Sequence, residues 1–288
     1  MPFNKKKETK EEIGSRTAKR GFRNEDLVMM KFYNWEEDLI AQKWLSFICK
    51  QNKQNYDNLS SVKVEKIAGR HKADILVQLI FKNNSILDAK ISLKRQKGER
   101  GYNHIHRENA AEFAERFNFS PVAKIALLKY CGVQGYSPFD LYQKGELTNV
   151  EYEQYDDIPE KKKHREGTGR FYFDELEEAE QRALINNFSK NIQPILRYIL
   201  RGEKGSEHPA DYLLCTKDLG NDKKLFSIET IAEAIDRAYD DGVISPLNRK
   251  HSSLHMGLLT VQRKGGTGGA TQLQFKWTNV FPDEKALD

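Results

Sequence analysis

The stretch Ala73–Arg95, ADILVQLIFKNNSILDAKISLKR, carries an aspartate at its head and two lysines towards its tail, one in DAK and one in SLK. Those residue types could hydrolyse a phosphodiester. Carboxylate oxygen holds a hard divalent cation such as Mg²⁺, and a lysine near the scissile phosphate can orient or polarise the attacking water and offset developing charge. The acid and the lysine must then project to one face, as residues two apart on a strand do.

Two apolar runs, ADILVQLIF and SILDAKISL, flank a polar turn and read as adjacent antiparallel strands. A three-residue connection Asn83-Asn84-Ser85 pairs Lys82 with Ile86, and counting outward sets Asp74 opposite Lys94 with Ser92 beside it on the same face. The competing pair, Asp88 and Lys90, lies nearer the turn. Lys90 is roughly 13 Å from Lys94 at ~3.3 Å per residue, too far to share one cation with Asp74. Spacing therefore selects Asp74 with Ser92 and Lys94. An acid on one strand and acid-x-lysine on the next is the PD-(D/E)XK nuclease arrangement, with serine here in place of the second acid. The missing oxygen could come from Glu25 on an early helix, from a backbone carbonyl or from water. A plain buried hairpin that contains an aspartate satisfies the same loose spacing.

Two further stretches could contact a polyanion. Val261–Lys276, VQRKGGTGGATQLQFK, leads Gln262, Arg263 and Lys264 into a glycine cluster that includes Gly265 and Gly266. Glycines permit close backbone approach to phosphate or base, Arg and Lys can bond guanine O6 and N7, and Gln can pair with adenine. The plainer reading is a flexible basic turn between two strands. Lys94–Glu108, KRQKGERGYNHIHRE, carries cations that could neutralise phosphates, with Asn103 and His104 able to reach base edges. The plainer reading there is a solvated loop leading into a helix. His104 and His106 form an HxH pair with no further ligands at suitable spacing. The strand–GxxxxGK[ST]–helix order of a P-loop is absent.

The elements that must position these groups follow from periodicity. Helices are expected from Asn24, with Asn24 as N-cap, and over about 36–51, 107–118, 122–131 ended by Gly132, 174–201 with Pro194 kinking or splitting it, and 228–240. Strands are expected at VKVEKIAG, the two hairpin runs, DYLLCT, KLFSI, GLLTVQRK and TQLQFKW. This order describes an α/β protein with a mixed β-sheet flanked by helices. Residues 1–12 read as a mobile tail, 13–150 as a catalytic region, and 151–288 as a DNA-recognition region packed on it, with a polar stretch at 145–169 as the boundary.

The 288 residues carry 31% charged and 38% hydrophobic side chains and a formal charge of +5, which permits a polyanionic partner without demanding one. No apolar run approaches the ~20 residues of a membrane span. The N-terminus lacks the apolar segment of a secretory signal, and Cys49, Cys131 and Cys215 stand apart with no CxxC pair. A cytoplasmic protein with reduced thiols is expected.

Six segments, GSRTAKRGFRNED, NWEEDLIAQKWL, KADILVQ, SLKRQKGERGYNHI, ILRG and VQRKGGTGGATQLQFK, resemble in the same order those of GCGC-cutting type II restriction endonucleases of the PD-(D/E)XK superfamily. The resemblance implies one active site per chain and Mg²⁺-dependent hydrolysis of double-stranded DNA. By position it assigns Asp74 to the metal, Lys94 to catalysis and Glu25 to the helix acid. Ser92 falls where those enzymes carry glutamine instead of the usual acid. The chain is also similar to the BisI family, which cuts GCNGC when its cytosines are methylated. That likeness would set His255 and Met256 against cytosine 5-methyl groups, and together with the chain's extra length it favours a methylcytosine-dependent enzyme. The alternatives are a conventional GCGC enzyme and a catalytically inactive DNA-binding homologue. A symmetric site allows two chains, or one chain acting twice.

Overall fold

The computed structural model describes residues 23–69, 71–97, 102–155, 170–220, 223–247, 251–264 and 271–282. The expected tail at 1–12 lies outside them. The chain divides into two compact units, each assembled from separated stretches. The first takes Met1–Gly101, Arg201–Ile231 and Val280–Asp288, and the second Tyr102–Leu200 and Ala232–Asn279. A division of the chain near residue 150 therefore falls inside the second unit. The physical reason is strand pairing: the strand Tyr212–Gly220, far along the chain, lies beside the strand Ile86–Lys97 in the first unit.

In the first unit, α1 spans 23–33 and α2 spans Leu39–Gln51. Asp38 caps α2, its Oδ1 accepting the Ile40 and Ala41 amides at 3.0 Å each, so this helix starts later than the periodicity suggests. Asn24 is not a cap: it lies within α1 and is buried. The five-stranded sheet has the order β1-β2-β3-β5-β6, formed by β1 (Leu59–Lys66), β2 (Ile75–Phe81), β3 (Ile86–Lys97), β5 (Tyr212–Gly220) and β6 (Lys223–Thr230). β3 pairs antiparallel with β2 and parallel with β5, giving the mixed sheet expected. Ile75, Val77, Leu79, Ala89, Ile91 and Leu93 bury one face against Val28, Phe32, Trp44, Leu45 and Ile48 of the two helices. Burial of each large side chain is worth about 1.5–3 kcal/mol, which makes this the anchor of the unit.

The second unit has its own five-stranded sheet, order β4-β10-β9-β8-β7, antiparallel throughout. Its strands are β4 (Tyr102–Asn109), β7 (Ile244–Leu247), β8 (Ser253–Met256), β9 (Leu259–Arg263) and β10 (Gln272–Thr278). Two sheets thus replace the single one expected. β4, β7 and β8 were not legible. β4 occupies the stretch read as a loop, because its backbone pairs with β10, and the helix after it begins only at Ala110, capped by Asn109. Helix Pro121–Cys131 starts with proline at its first position behind a Ser120 cap and ends at Gly132, whose φ of 76° suits glycine.

The long helix Glu178–Arg201 continues through Pro194, so proline does not split it. Phe188 from this helix meets Phe113, and Phe113 meets Phe275 of β10 with ring centroids 5.3 Å apart. Helix Ile231–Tyr239 sets the Arg237 guanidinium 4.2 Å from the centroid of the Trp277 ring. The polar stretch 145–169 contains helix Asn149–Tyr155, and residues 156–169 lie outside the described ones. The three cysteines are buried, and none forms a disulfide among the described residues. No helix among the described residues is long and apolar enough to cross a membrane.

Candidate active site

The hairpin that carries the candidate acid turns one residue earlier than the sequence suggested. Phe81 N donates to Ser85 O at 3.0 Å around Lys82-Asn83-Asn84, with Asn84 at φ 62°. The pairing runs Ile80 with Ile86 and Ile75 with Ile91. Asp74 therefore does not face Lys94. It lies against Ile91–Leu93, its N–H donating to Ile91 O at 2.8 Å. Moving the turn by one residue shifts the count by one on each strand, and two such steps preserve the face. Asp74, Ser92 and Lys94 still meet.

Their contacts are specific. Oδ2 of Asp74 accepts the Leu93 amide at 2.6 Å and the Ser92 hydroxyl at 3.3 Å. The Lys94 ammonium donates to Ser92 Oγ and to Leu93 O, each at 3.0 Å, and stands 3.7 Å from Asp74 Oδ2. The geometry follows from where strand pairing ends. The β2–β3 ladder stops at Ile75 and Ile91, so the Leu93 amide is left for a carboxylate to take. Ser92 is buried, accepts from the lysine and donates to the aspartate, so its hydroxyl links the two charges.

Oδ1 of Asp74 has no hydrogen bond among the described residues, and its side chain is 30% exposed. One open carboxylate oxygen suits a hard divalent cation that keeps several of its waters. The donor set is sparse, because the serine hydroxyl is already engaged on both sides.

Glu25 is not brought into this cluster. It forms an ion pair with Lys66, which sits opposite Ile75, a residue of the core face that α1 covers. Lys90 pairs with Leu76, and its ammonium donates to Glu207 O at 2.9 Å. Asp88 accepts from Gln78 at 3.0 Å in an exposed cross-strand contact. The DAK residues thus belong to strand pairing. Arg95 donates to Asp218 at 2.9 Å through Nε.

In the second unit, strand alternation sorts the residues expected to contact DNA. Gln274 pairs with Gln262 and with Arg107, Lys276 pairs with Thr260 and with His104, and Thr260 pairs with His255. Gln262, His255, His104 and Arg107 therefore share one polar face with Gln274 and Lys276. His104 and Arg107 are exposed, and Gln262 and His255 half-buried. Ser253 Oγ donates to the Gln262 amide oxygen at 3.3 Å, which orients the Gln262 NH₂. Burial lowers the pKa of the Lys276 ammonium.

Two expected contacts are overturned. Met256 is fully buried on the opposite, core-facing side, so it cannot touch a cytosine methyl. Arg263 pairs with core residue Leu273 and is 8% exposed; burial and then the neighbouring Arg170 charge depress its pKa, so it is not placed to read a base edge. Lys264 continues the ladder through its amide to Gln272 O at 2.8 Å. Asn103 lies on β4, and Gly265 and Gly266 lie outside the described residues. His106 turns inward, with its ring 5.0 Å from that of Tyr198, so the HxH pair is split between faces. Gln274, Lys276 and Arg107 were not singled out in the sequence, although the alternation of TQLQFKW carries the signal for the first two.

The family model of the R.HinP1I restriction endonuclease matches residues 54–282. Among solved structures, restriction endonuclease MspI in complex with its cognate DNA is similar, with a TM-score of 0.50, 14% identity, and coverage of 82% of this chain and 78% of that one. That likeness shows a restriction-endonuclease fold. No curated protein sequence matches the chain.

Proposed function

We propose that this chain, which belongs to the R.HinP1I restriction endonuclease family, cuts a short GC-rich duplex site with Mg²⁺ held at Asp74. It is a type II restriction endonuclease, a site-specific enzyme that hydrolyses DNA. The metal, the sequence read and the residue roles are our reading. The contact that carries it is the cluster of Asp74, Ser92 and Lys94 just before β2 begins.

Asp74 would hold the cation through its open oxygen, and a bound Mg²⁺ supplies a polarised water and charge neutralisation at phosphorus. The Leu93 amide and Ser92 hydroxyl fix the other carboxylate oxygen, so the acid is oriented before DNA arrives. Lys94, tethered by Ser92 and Leu93 O, offsets charge on the phosphate as water attacks in line with the leaving oxygen. Gln262, His255, His104 and Arg107 face one way and form the candidate reading surface, with Gln262 offering its NH₂ to a base acceptor.

A GC-rich site rests on the resemblance to GCGC-cutting enzymes. Dependence on methylcytosine has lost Met256 to the core; the half-buried His255 on the polar face is what still favours it. Plasmids with and without cytosine methylation, incubated with Mg²⁺, decide between the two. Cutting of unmethylated DNA is expected, and cutting confined to methylated GCNGC would establish the BisI-like reading. Asp74→Ala and Lys94→Ala should abolish cleavage and leave DNA binding, whereas Lys90→Ala should cut. Cutting by Lys94→Ala together with its loss in Lys90→Ala would overturn the assignment.

A further inference from the structure

Outside the Asp74 cluster, the first unit gathers a second set of ligand-type side chains. One ligand atom each from His71, Glu207 and His208 lies within 4.8 Å of the others. His71 precedes β2, and Glu207 and His208 lie in the segment between the long helix and β5. The rings of His71 and His208 meet edge to face with centroids 4.8 Å apart, and His208 Nε2 is 3.7 Å from Glu207 Oε1. Both histidines are half-buried, whereas Glu207 is exposed.

The backbone around the cluster is built to bring these groups together. Gly69 has φ +105°, and a Cβ there would stand 3.2 Å from the His71 ring, so glycine makes room for the imidazole. A Cβ on Gly202 would come within 2.9 Å of Lys72, so the two segments pack closely on either side of the histidines. Ala73 N donates to His208 O at 3.4 Å, and Lys90 Nζ donates to Glu207 O at 2.9 Å. His208 Nδ1 is buried without a hydrogen-bond partner among the described residues. The other ring nitrogen, Nε2, is the one that faces the Glu207 carboxylate.

We propose that His71, Glu207 and His208 bind a transition-metal dication of the Zn²⁺ class, which pins the 202–211 segment to the loop that delivers Asp74. Two imidazoles and a carboxylate are ligands for Zn²⁺, whereas Mg²⁺ takes an oxygen shell, so the two cations sort to different sites. Tetrahedral Zn²⁺ with bonds of about 2.0–2.1 Å sets its ligands roughly 3.3 Å apart. The ligand atoms, within 4.8 Å of one another, close by up to about 1.5 Å to reach that spacing, and Glu207 is the exposed one of the three. Water completes the shell. The ion joins two segments distant in sequence that flank Asp74, since Ala73 is its chain neighbour and is bonded to His208.

Untagged full-length protein titrated calorimetrically with Zn²⁺ in saturating Mg²⁺ tests the site. One Zn²⁺ per chain and a rise in melting temperature are expected. His71→Ala and His208→Ala should each weaken binding by more than about 100-fold, beyond what loss of an outer-shell partner costs. Glu207→Gln, a surface change that leaves folding intact, should weaken it by at least about tenfold and alter the visible spectrum of the Co²⁺-substituted protein. Asp74→Ala should bind Zn²⁺ as the parent does. Absence of Zn²⁺ binding by the parent, binding untouched by Glu207→Gln and both histidine variants, or binding lost in Asp74→Ala would overturn the proposal. None of these outcomes bears on cleavage at Asp74.

Discussion

The two five-stranded sheets acquire functional side chains in different ways. In the first, chemistry arises at the end of a pairing. β3 continues past the first residue of β2, Ile75, and the amide this leaves at Leu93 is taken by the Asp74 carboxylate, with Ser92 and Lys94 gathered beside it. In the second, the candidate reading groups are spread over a face. Antiparallel alternation sends Gln262, Gln274 and His255 one way and Val261, Phe275 and Met256 the other. A strand end concentrates one charge cluster, whereas a face distributes many weaker contacts. Loss of activity should therefore be abrupt in the first unit and graded in the second.

The largest expected effect lies at the strand end. Asp74→Ala should lower the cleavage rate by at least about 10³-fold, the scale of removing a preorganised transition-state contact, with duplex binding retained in a gel-shift assay. Lys94→Ala should cost about 10²–10⁴-fold in single-turnover cleavage, the range for a positioned proton-transfer or charge-stabilising group. Activity within a few fold of the parent in either variant would break the contrast between the sheets.

Ser92→Ala sharpens it. This change removes the link between Lys94 and Asp74 but neither charge, so a loss of about 10–100-fold is expected, as for groups that orient a metal ligand. On the second sheet, Gln262→Ala should leave the rate on the preferred site within a few fold. It should relax discrimination at one base pair by about 1–3 kcal/mol, read from cleavage of a panel of singly substituted sites. A uniform loss on every sequence would assign Gln262 to backbone contact instead.

The smallest effect concerns stability of the second unit. Glu108 is buried, which by itself raises its pKa, yet bonds from His106 and Arg116 leave it lowered. A depressed folded-state pKa contributes stability that is fully present above the unfolded carboxyl value near 4.3 and is lost as pH falls through the folded value. Glu108→Gln should cost about 1.5–3 kcal/mol at neutral pH and flatten the loss of stability below pH ~4.5, followed by chemical denaturation across the acid range. An unchanged acid limb would show that His106 and Arg116 do not hold the carboxylate.

The sequence by itself determined the alternation of β2 and β3, the three-residue turn, the Gly132 helix stop and the preference for SLK over DAK. Each depends on neighbours a few residues apart or on a period of two, and these act before any long-range contact forms. It also placed Asp74, Ser92 and Lys94 together even though the turn was displaced by one residue, because shifting both strands preserves the face. Only the tertiary structure decided that Asp74 bonds the Leu93 amide rather than facing Lys94, that Glu25 is taken by Lys66, and that Met256 and Arg263 turn into the core. It alone turned HIHREN into a strand through pairing with β10, and drew His71 towards His208 across nearly half of the chain. Those outcomes depend on which distant backbone supplies the hydrogen bonds and which side of a strand meets the core, and neither is encoded in local spacing.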